Sequence, residues 1–149
     1  MQILVDSNIL LRLVNAADPQ FQLAWDAARK LHLRQDQLCV VPQNIYEFWS
    51  VGTRPANMNG LGLTAVTVQT EIGKLRSFFH RLEETPAVFV EWEKLVVLHS
   101  IVGKNVHDTR LVAAMMVHGI THLLTFNKQD FQRYTNITVL TPADVMAMP

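Results

Sequence analysis

The strongest constraint in the sequence is an alternation. Short apolar runs of three to five residues are separated by longer stretches whose apolar residues recur at helical spacing. The runs are Ile3–Val5, Leu38–Val41, Val88–Val90, His122–Phe126 and Ile137–Leu140, with Val88–Val90 the weakest. Between them lie the helical patterns. Asp18-Pro19 reads as a cap and first turn, followed by Phe21, Ala24, Trp25, Ala28 and Leu31 on one face. Pro42 opens a second helix through Val51, closed by Gly52, and a loop runs from Thr53 to Leu63. Thr64 caps a third, with Val68, Ile72, Leu75 and Phe79 on its apolar side. Trp92, Leu95, Val96 and His99 mark a fourth, ending near Gly103. The fifth runs from Asp108 to His118, where Gly119 suits the left-handed residue that ends a helix. Thr141-Pro142 caps a short last helix.

Short apolar strands alternating with helices predict an α/β fold: a mostly parallel central sheet of four to five strands with helices on both faces. Right-handed crossovers then give a doubly wound sheet. No repeat, low-complexity tract or linker interrupts the pattern, so residues 1–149 read as a single domain. With 49% apolar residues the chain can fill a real core, which excludes a disordered chain. Thirteen basic residues balance thirteen acidic ones, which excludes binding nucleic acid by bulk positive charge. The lone Cys39 lies inside an apolar run and reads as a small buried hydrophobe in a reducing compartment. The N-terminus lacks the pattern of a secretion signal, and no stretch approaches the ~20 apolar residues that span a bilayer. The expected location is the cytoplasm.

With few charges, their positions carry the information. Asp6 directly follows Ile3–Val5, where the carboxyl end of a strand opens on the ligand crevice of such sheets. Asn8 lies two residues on. Glu47 is the only charged residue between Leu38 and Val51, and its neighbours Ile45, Tyr46, Phe48 and Trp49 predict a largely buried helix. Asp108 has Leu111, Val112 and Met115 at i+3, i+4 and i+7, which puts it on the core-facing stripe of its helix. Leu123–Phe131 ends a strand in the polar residues Thr125, Asn127 and Asp130.

Topology gathers these residues. Asp6 and Asp130 follow upward strands, while Glu47 and Asp108 lie in the early turns of downward helices. All four acids then reach one end of the sheet. Singly, each has an ordinary structural use as a cap, a turn residue or half of an ion pair. Together they would repel one another, and a hard divalent cation with oxygen ligands relieves that repulsion. No His/Cys spacing suggests zinc.

These residues, in this order, resemble the PIN-domain ribonucleases, and among them the toxins of VapBC-type toxin–antitoxin pairs. Leu4-Val5-Asp6-Ser7-Asn8 matches the family's opening motif. Tyr46-Glu47-Phe48 matches its second acid, His107-Asp108-Thr109-Arg110-Leu111 its third-acid helix, and Leu123–Phe131 its last motif. The resemblance spans Ile3 to about Leu140. It implies a single PIN-like domain that hydrolyses RNA phosphodiester bonds with one or two Mg²⁺ or Mn²⁺ ions. Asp6, Glu47 and Asp108 would hold the metal, with Asp130 as a further catalytic acid and Asn8, Thr125 and Asn127 in support. Many family members carry Asp where this chain has Asn127, so either Asp130 completes the site or three acids plus Asn127 do. The resemblance further implies an RNA substrate, an antitoxin partner and a homodimer.

Arg12, Arg54, Arg110 and Lys128 are candidate phosphate contacts, although solvated surface charges have the same signature. His107 is expected to face away from its neighbour Asp108. Trp25, Trp49 and Trp92 fit core packing better than base stacking. Two other enzyme or signalling folds begin with a strand and an acid. A haloacid-dehalogenase-type phosphatase needs Asp-x-Asp, where this chain has Asp6-Ser7-Asn8; a receiver domain needs an Asp after its third strand, where Val88–Val90 is followed by Glu91. A PIN fold that binds RNA or protein without cutting it is the remaining alternative.

Overall fold

The computed structural model describes residues 1–149. Five strands form one sheet: β1 Gln2–Val5, β2 Gln37–Val40, β3 His80–Arg81, β4 His122–Leu124 and β5 Thr138–Leu140. Seven α-helices accompany them: α1 Ser7–Leu13, α2 Phe21–Leu33, α3 Pro42–Thr53, α4 Ala65–Leu75, α5 Pro86–Leu98, α6 Asn105–Val117 and α7 Pro142–Ala147. Two 3₁₀ turns, Ala56–Met58 and Lys128–Phe131, complete the chain. The spatial order is β3-β2-β1-β4-β5 and every pairing is parallel.

Alternate residues of β1 feed opposite faces, as a pleated strand requires. Ile3 and Val5 join a core with Ile9 and Leu10 of α1, Ala24 and Leu31 of α2, and Phe48 of α3. Leu4 points the other way, into a core with Leu111, Val112 and Met115 of α6 and Leu95 of α5. Cys39 belongs to that second core and is fully buried, which pushes its thiol pKa up.

The chain winds from β1 outward to β3, then returns to place β4 on the other side of β1. The switch point therefore lies between β1 and β4, and the crevice beyond their carboxyl ends is where a ligand fits. The register Val5↔Leu124 sets Asp6 directly beside Thr125 at that edge.

Several expected elements are relocated. Val88–Val90 is not a strand: Thr85 is an extended cap, Pro86 occupies the first turn, and the segment enters α5. Val88, Trp92 and Leu95 then recur at i, i+4 and i+7, with Val88 and Leu95 buried, so helical period overrides the β-branched bias. The third strand is instead the two-residue His80–Arg81, and the ladder continues as Leu82 N–H donates to the Val40 carbonyl at 2.8 Å. The segment after Asp6 forms α1, an unexpected helix that buries Ile9, Leu10 and Leu13. Helix α2 starts at Phe21 rather than at Pro19; Asp18 Oδ1 accepts the Gln20 N–H and closes a turn ahead of it. Helix α6 begins three residues before Asp108. Strand β4 ends at Leu124, not Phe126. The caps at Thr64 and Thr141 and the positive φ of Gly119 are as expected.

Candidate active site

Asp6 is 7% exposed at the end of β1, and its carboxylate is held from three sides. Thr125 Oγ1 donates to Oδ2 at 2.7 Å, Asn8 Nδ2 donates to the same oxygen at 2.8 Å, and Ser7 Oγ lies 3.3 Å from Oδ1. Burial is the largest influence on Asp6 and raises its pKa; the Thr125 hydroxyl pulls it back, and the charge of Glu47 adds to the rise. Thr125, itself fully buried, also accepts from Asn8 Nδ2 and from the Asn127 N–H, each at 3.0 Å. Asn8 closes the ring by accepting the Phe126 N–H at 3.2 Å. One hydroxyl and one amide thus lock the β1 and β4 ends together.

Glu47 lies in the second turn of α3 and is half-buried. Its Oε2 accepts from Ser7 Oγ at 2.7 Å and its Oε1 from Gln43 Nε2 at 2.8 Å. Ser7 reaches both Asp6 and Glu47, so a short hydroxyl in the first turn of α1 bridges two acids. The helix is less buried than its composition suggests: Tyr46 is 68% exposed and Trp49 37%. Apolar character runs around α3, but only its Phe48 side meets the sheet.

Asp108 sits in the first turn of α6. It is half-buried rather than core-facing, because the stripe it shares with Leu111, Val112 and Met115 reaches the open crevice at its first turn. Its pKa is pushed up to about 6, first by burial and then by the charges of Asp6, Asp130 and Glu47. That mutual influence places all four acids in one electrostatic neighbourhood. Asp130, in the 3₁₀ turn after β4, is exposed at its rim, as is Asn127.

Seven of the other nine acids in the chain form ion pairs; Asp6, Glu47, Asp108 and Asp130 form none. The crevice therefore gathers acids that no ion pair neutralises, with Lys104 near enough to offset part of the charge on Asp108, and these acids present carboxylate oxygens. That donor set fits a hard divalent cation. As the side chains stand, no three of the acids converge on a point that would hold a metal ion.

The cations are dispersed. Arg12 donates to the Asn8 carbonyl and lies over the Phe126 ring at 5.2 Å, beside the crevice. Arg110 donates to Gln43 Oε1 at 3.0 Å and pairs with Glu84. Lys128 pairs with Asp144. Arg54 follows the C-terminal end of α3, seven residues and so about 10 Å of helix below Glu47, away from the cluster. His107 is exposed and takes part through its carbonyl, which accepts from Gln43 Nε2 at 2.8 Å. Trp25 and Trp92 are half-buried, each with its indole N–H on a backbone carbonyl; Trp49 lies at the surface.

Sequence reasoning missed Ser7 and Gln43. The available signal was position: Ser7 adjoins Asp6, and Gln43 precedes Glu47 by one helical turn, so both reach the same carboxylate.

A sequence model described as PIN domain matches residues 3–137. A search of curated proteins finds no significant match. Solved structures of similar fold cover almost the whole chain. VapBC2 from Rickettsia felis, bound to a DNA fragment from its promoter, is 13% identical with a TM-score of 0.69 over 95% of this chain and 98% of that one. VapBC-1 from nontypeable Haemophilus influenzae is 15% identical with a TM-score of 0.68, over 96% and 99%. The sarcin–ricin loop cleaving toxin VapC20 from Mycobacterium tuberculosis is 17% identical with a TM-score of 0.64, over 89% and 95%.

Proposed function

The chain belongs to the PIN domain family, and from that premise we propose that it is a metal-dependent endoribonuclease acting as the toxin of a toxin–antitoxin pair. The observation that carries the reading is the charge pattern. None of the four acids gathered at the switch point has a cation in an ion pair, while seven of the other nine do. Fold likeness to VapBC complexes and to an RNA-cleaving toxin supports the toxin assignment and a protein antitoxin as partner. The phosphatase and receiver-domain alternatives fall with the family assignment.

Asp6, Glu47 and Asp108 would hold Mg²⁺ or Mn²⁺, which supplies positive charge against a phosphodiester in its transition state and activates water. The chain's own groups prepare for this. Thr125 and Asn8 fix the rotamer of Asp6, and Ser7 and Gln43 fix that of Glu47. In the metal-free chain Asp108 has a pKa of about 6, raised first by burial, and a bound cation would favour its charged form. Asp130 or Asn127 completes the rim, and Arg12 beside the crevice and Lys104 near Asp108 are the cations available to a substrate phosphate. No helix is long and apolar enough to cross a membrane; cytoplasmic residence is part of the proposal. A homodimer is supported by the outer face of α5 and the following loop, where Phe89, Val90, Val97, Leu98 and Val102 are 51–76% exposed.

A non-cleaving PIN module is the second reading, favoured by Asn127 in place of an acid and by the lack of a preformed three-acid cradle. One assay separates them. Purified chain is incubated with structured RNA and Mg²⁺ or Mn²⁺, beside Asp6→Asn and Asp108→Asn. Metal-dependent cleavage by the wild type, reduced at least about 100-fold in both variants, is expected. Equal cleavage in all three rejects the site, and no cleavage in any, with RNA still bound, favours the binding module.

A further inference from the structure

We propose that Gln43 is a positioning residue that sets Glu47 for metal binding, and that Arg110 acts through it rather than on RNA; the inference rests on the metal-site reading above. Gln43 lies in the first turn of α3 and is only 6% exposed. Both amide protons and one lone pair of its oxygen are used. Nε2 donates one proton to Glu47 Oε1 and the other to the His107 carbonyl, both at 2.8 Å, while Oε1 accepts from Arg110 Nη1 at 3.0 Å. With two acceptors before the nitrogen and a donor before the oxygen, only one orientation of the amide satisfies every group.

The consequence is geometric. Gln43 and Glu47 are one turn apart on α3, and His107 immediately precedes Asp108 on α6. The amide therefore ties the helix carrying one acid to the backbone beside the other. Ser7 holds the second oxygen of Glu47 from α1. Glu47 is thus clamped between donors on two helices, α3 and α1, and its separation from Asp108 is set by the Gln43–His107 bond.

The consequence is also electrostatic. Arg110 stands behind the amide, anchored on its far side by Glu84. Its charge polarises the amide toward Glu47 without pairing with it. A guanidinium placed directly on Glu47 would compete with an incoming cation; a neutral amide between them steadies the carboxylate and leaves its charge available. Groups that orient a metal ligand in this way typically change affinity by about 10- to 100-fold when removed.

The test uses Gln43→Met, which keeps the length and loses all three hydrogen bonds, and Arg110→Met, which removes the support from behind. Mn²⁺ affinity is measured by calorimetry on the full chain, and cleavage kinetics in parallel. Gln43→Met is expected to weaken Mn²⁺ binding about 10- to 100-fold and to lower kcat, with KM for RNA unchanged. Arg110→Met is expected to shift both in the same direction by a smaller factor, again without raising KM. Because Arg110→Met leaves the α3–α6 amide bridge in place, it keeps the test decisive if Gln43→Met does not fold. Mn²⁺ affinity within twofold of wild type in a folded Gln43→Met, or in Arg110→Met where only that variant folds, overturns the proposal while sparing the site. A rise in KM for RNA in Arg110→Met, with Mn²⁺ affinity unchanged, makes Arg110 a substrate contact and also overturns it. Failure of the wild type itself to bind Mn²⁺ removes the metal-site reading and this inference together.

Discussion

Asp108→Asn should stabilise the metal-free chain, and the sign of the effect with pH is the stringent part. The carboxyl has a pKa of about 6 in the fold, against 3.8 for an ordinary aspartate. Its pKa is raised, so between those two values the folded chain binds more protons at this group than the unfolded chain does. The cost of ionising this carboxyl, from burial first and neighbouring acids second, is absent below about pH 4, grows as pH rises, and is complete above about pH 6. A rise of that size corresponds to roughly 3 kcal/mol at full strength; discounting for a group about half open to solvent leaves roughly 1–2 kcal/mol. Asparagine keeps the shape and discards the charge. The variant should therefore exceed wild type by that amount at pH 8, or roughly 2–8 °C in Tm for a chain of this size, and match it at pH 4. Urea and thermal unfolding in chelator, at intervals from pH 4 to 8, measure the difference. A variant no more stable than wild type at pH 8, or a gain equal at pH 4 and 8, refutes the reasoning. Saturating Mg²⁺ should then favour the wild type, because only it keeps the full acid set.

Two further outcomes follow from individual contacts. Thr125→Val removes the buried hydroxyl that donates to Asp6 and accepts from Asn8 and Asn127; it should cost about 1.5–3 kcal/mol in urea unfolding at pH 8, and a loss below about 0.5 kcal/mol would show that the lock between β1 and β4 lies elsewhere. Val97→Asp with Leu98→Asp, two substitutions on the open face of α5, should leave the helical content unchanged and convert a dimer into a monomer by light scattering; unchanged mass contradicts α5 as the contact.

What the sequence disclosed about this site is what electrostatics makes costly. Asp6, Glu47 and Asp108 stood out because each is an acid set among apolar residues, and a carboxylate in such a place needs a compensating partner somewhere in the fold. Their meeting place followed from strand direction alone. The elements that stayed hidden are those whose reasons are tertiary. His80–Arg81 has neither apolar alternation nor length, and becomes β3 only because Cys39 and Val40 present an unpaired edge to it. Val88 and Val90 carry a strand-like composition, yet Pro86 at the first turn and a buried face through Leu95 decide for helix. Ser7 and Gln43 were invisible for a different reason. A neutral polar side chain loses little by exposure, so its sequence neighbourhood carries no conflict until the fold shows which carboxylate it touches.

The same logic resolves the apparent neutrality of the chain. Thirteen positive and thirteen negative side chains look balanced, but the balance is not local. Seven acids hold cations away from the crevice, among them Glu84, which occupies Arg110. The crevice between β1 and β4 is left with Asp6, Glu47, Asp108 and Asp130, none of them in an ion pair, and with Lys104 offsetting part of the charge on Asp108. An RNA backbone would be repelled from such a crevice as it stands. On the nuclease reading, the metal-free chain should bind RNA weakly at low salt, and added Mg²⁺ or Mn²⁺ should strengthen binding even to Asp130→Asn, where the proposed metal ligands are intact. RNA affinity indifferent to metal in both proteins would place the RNA surface away from this crevice.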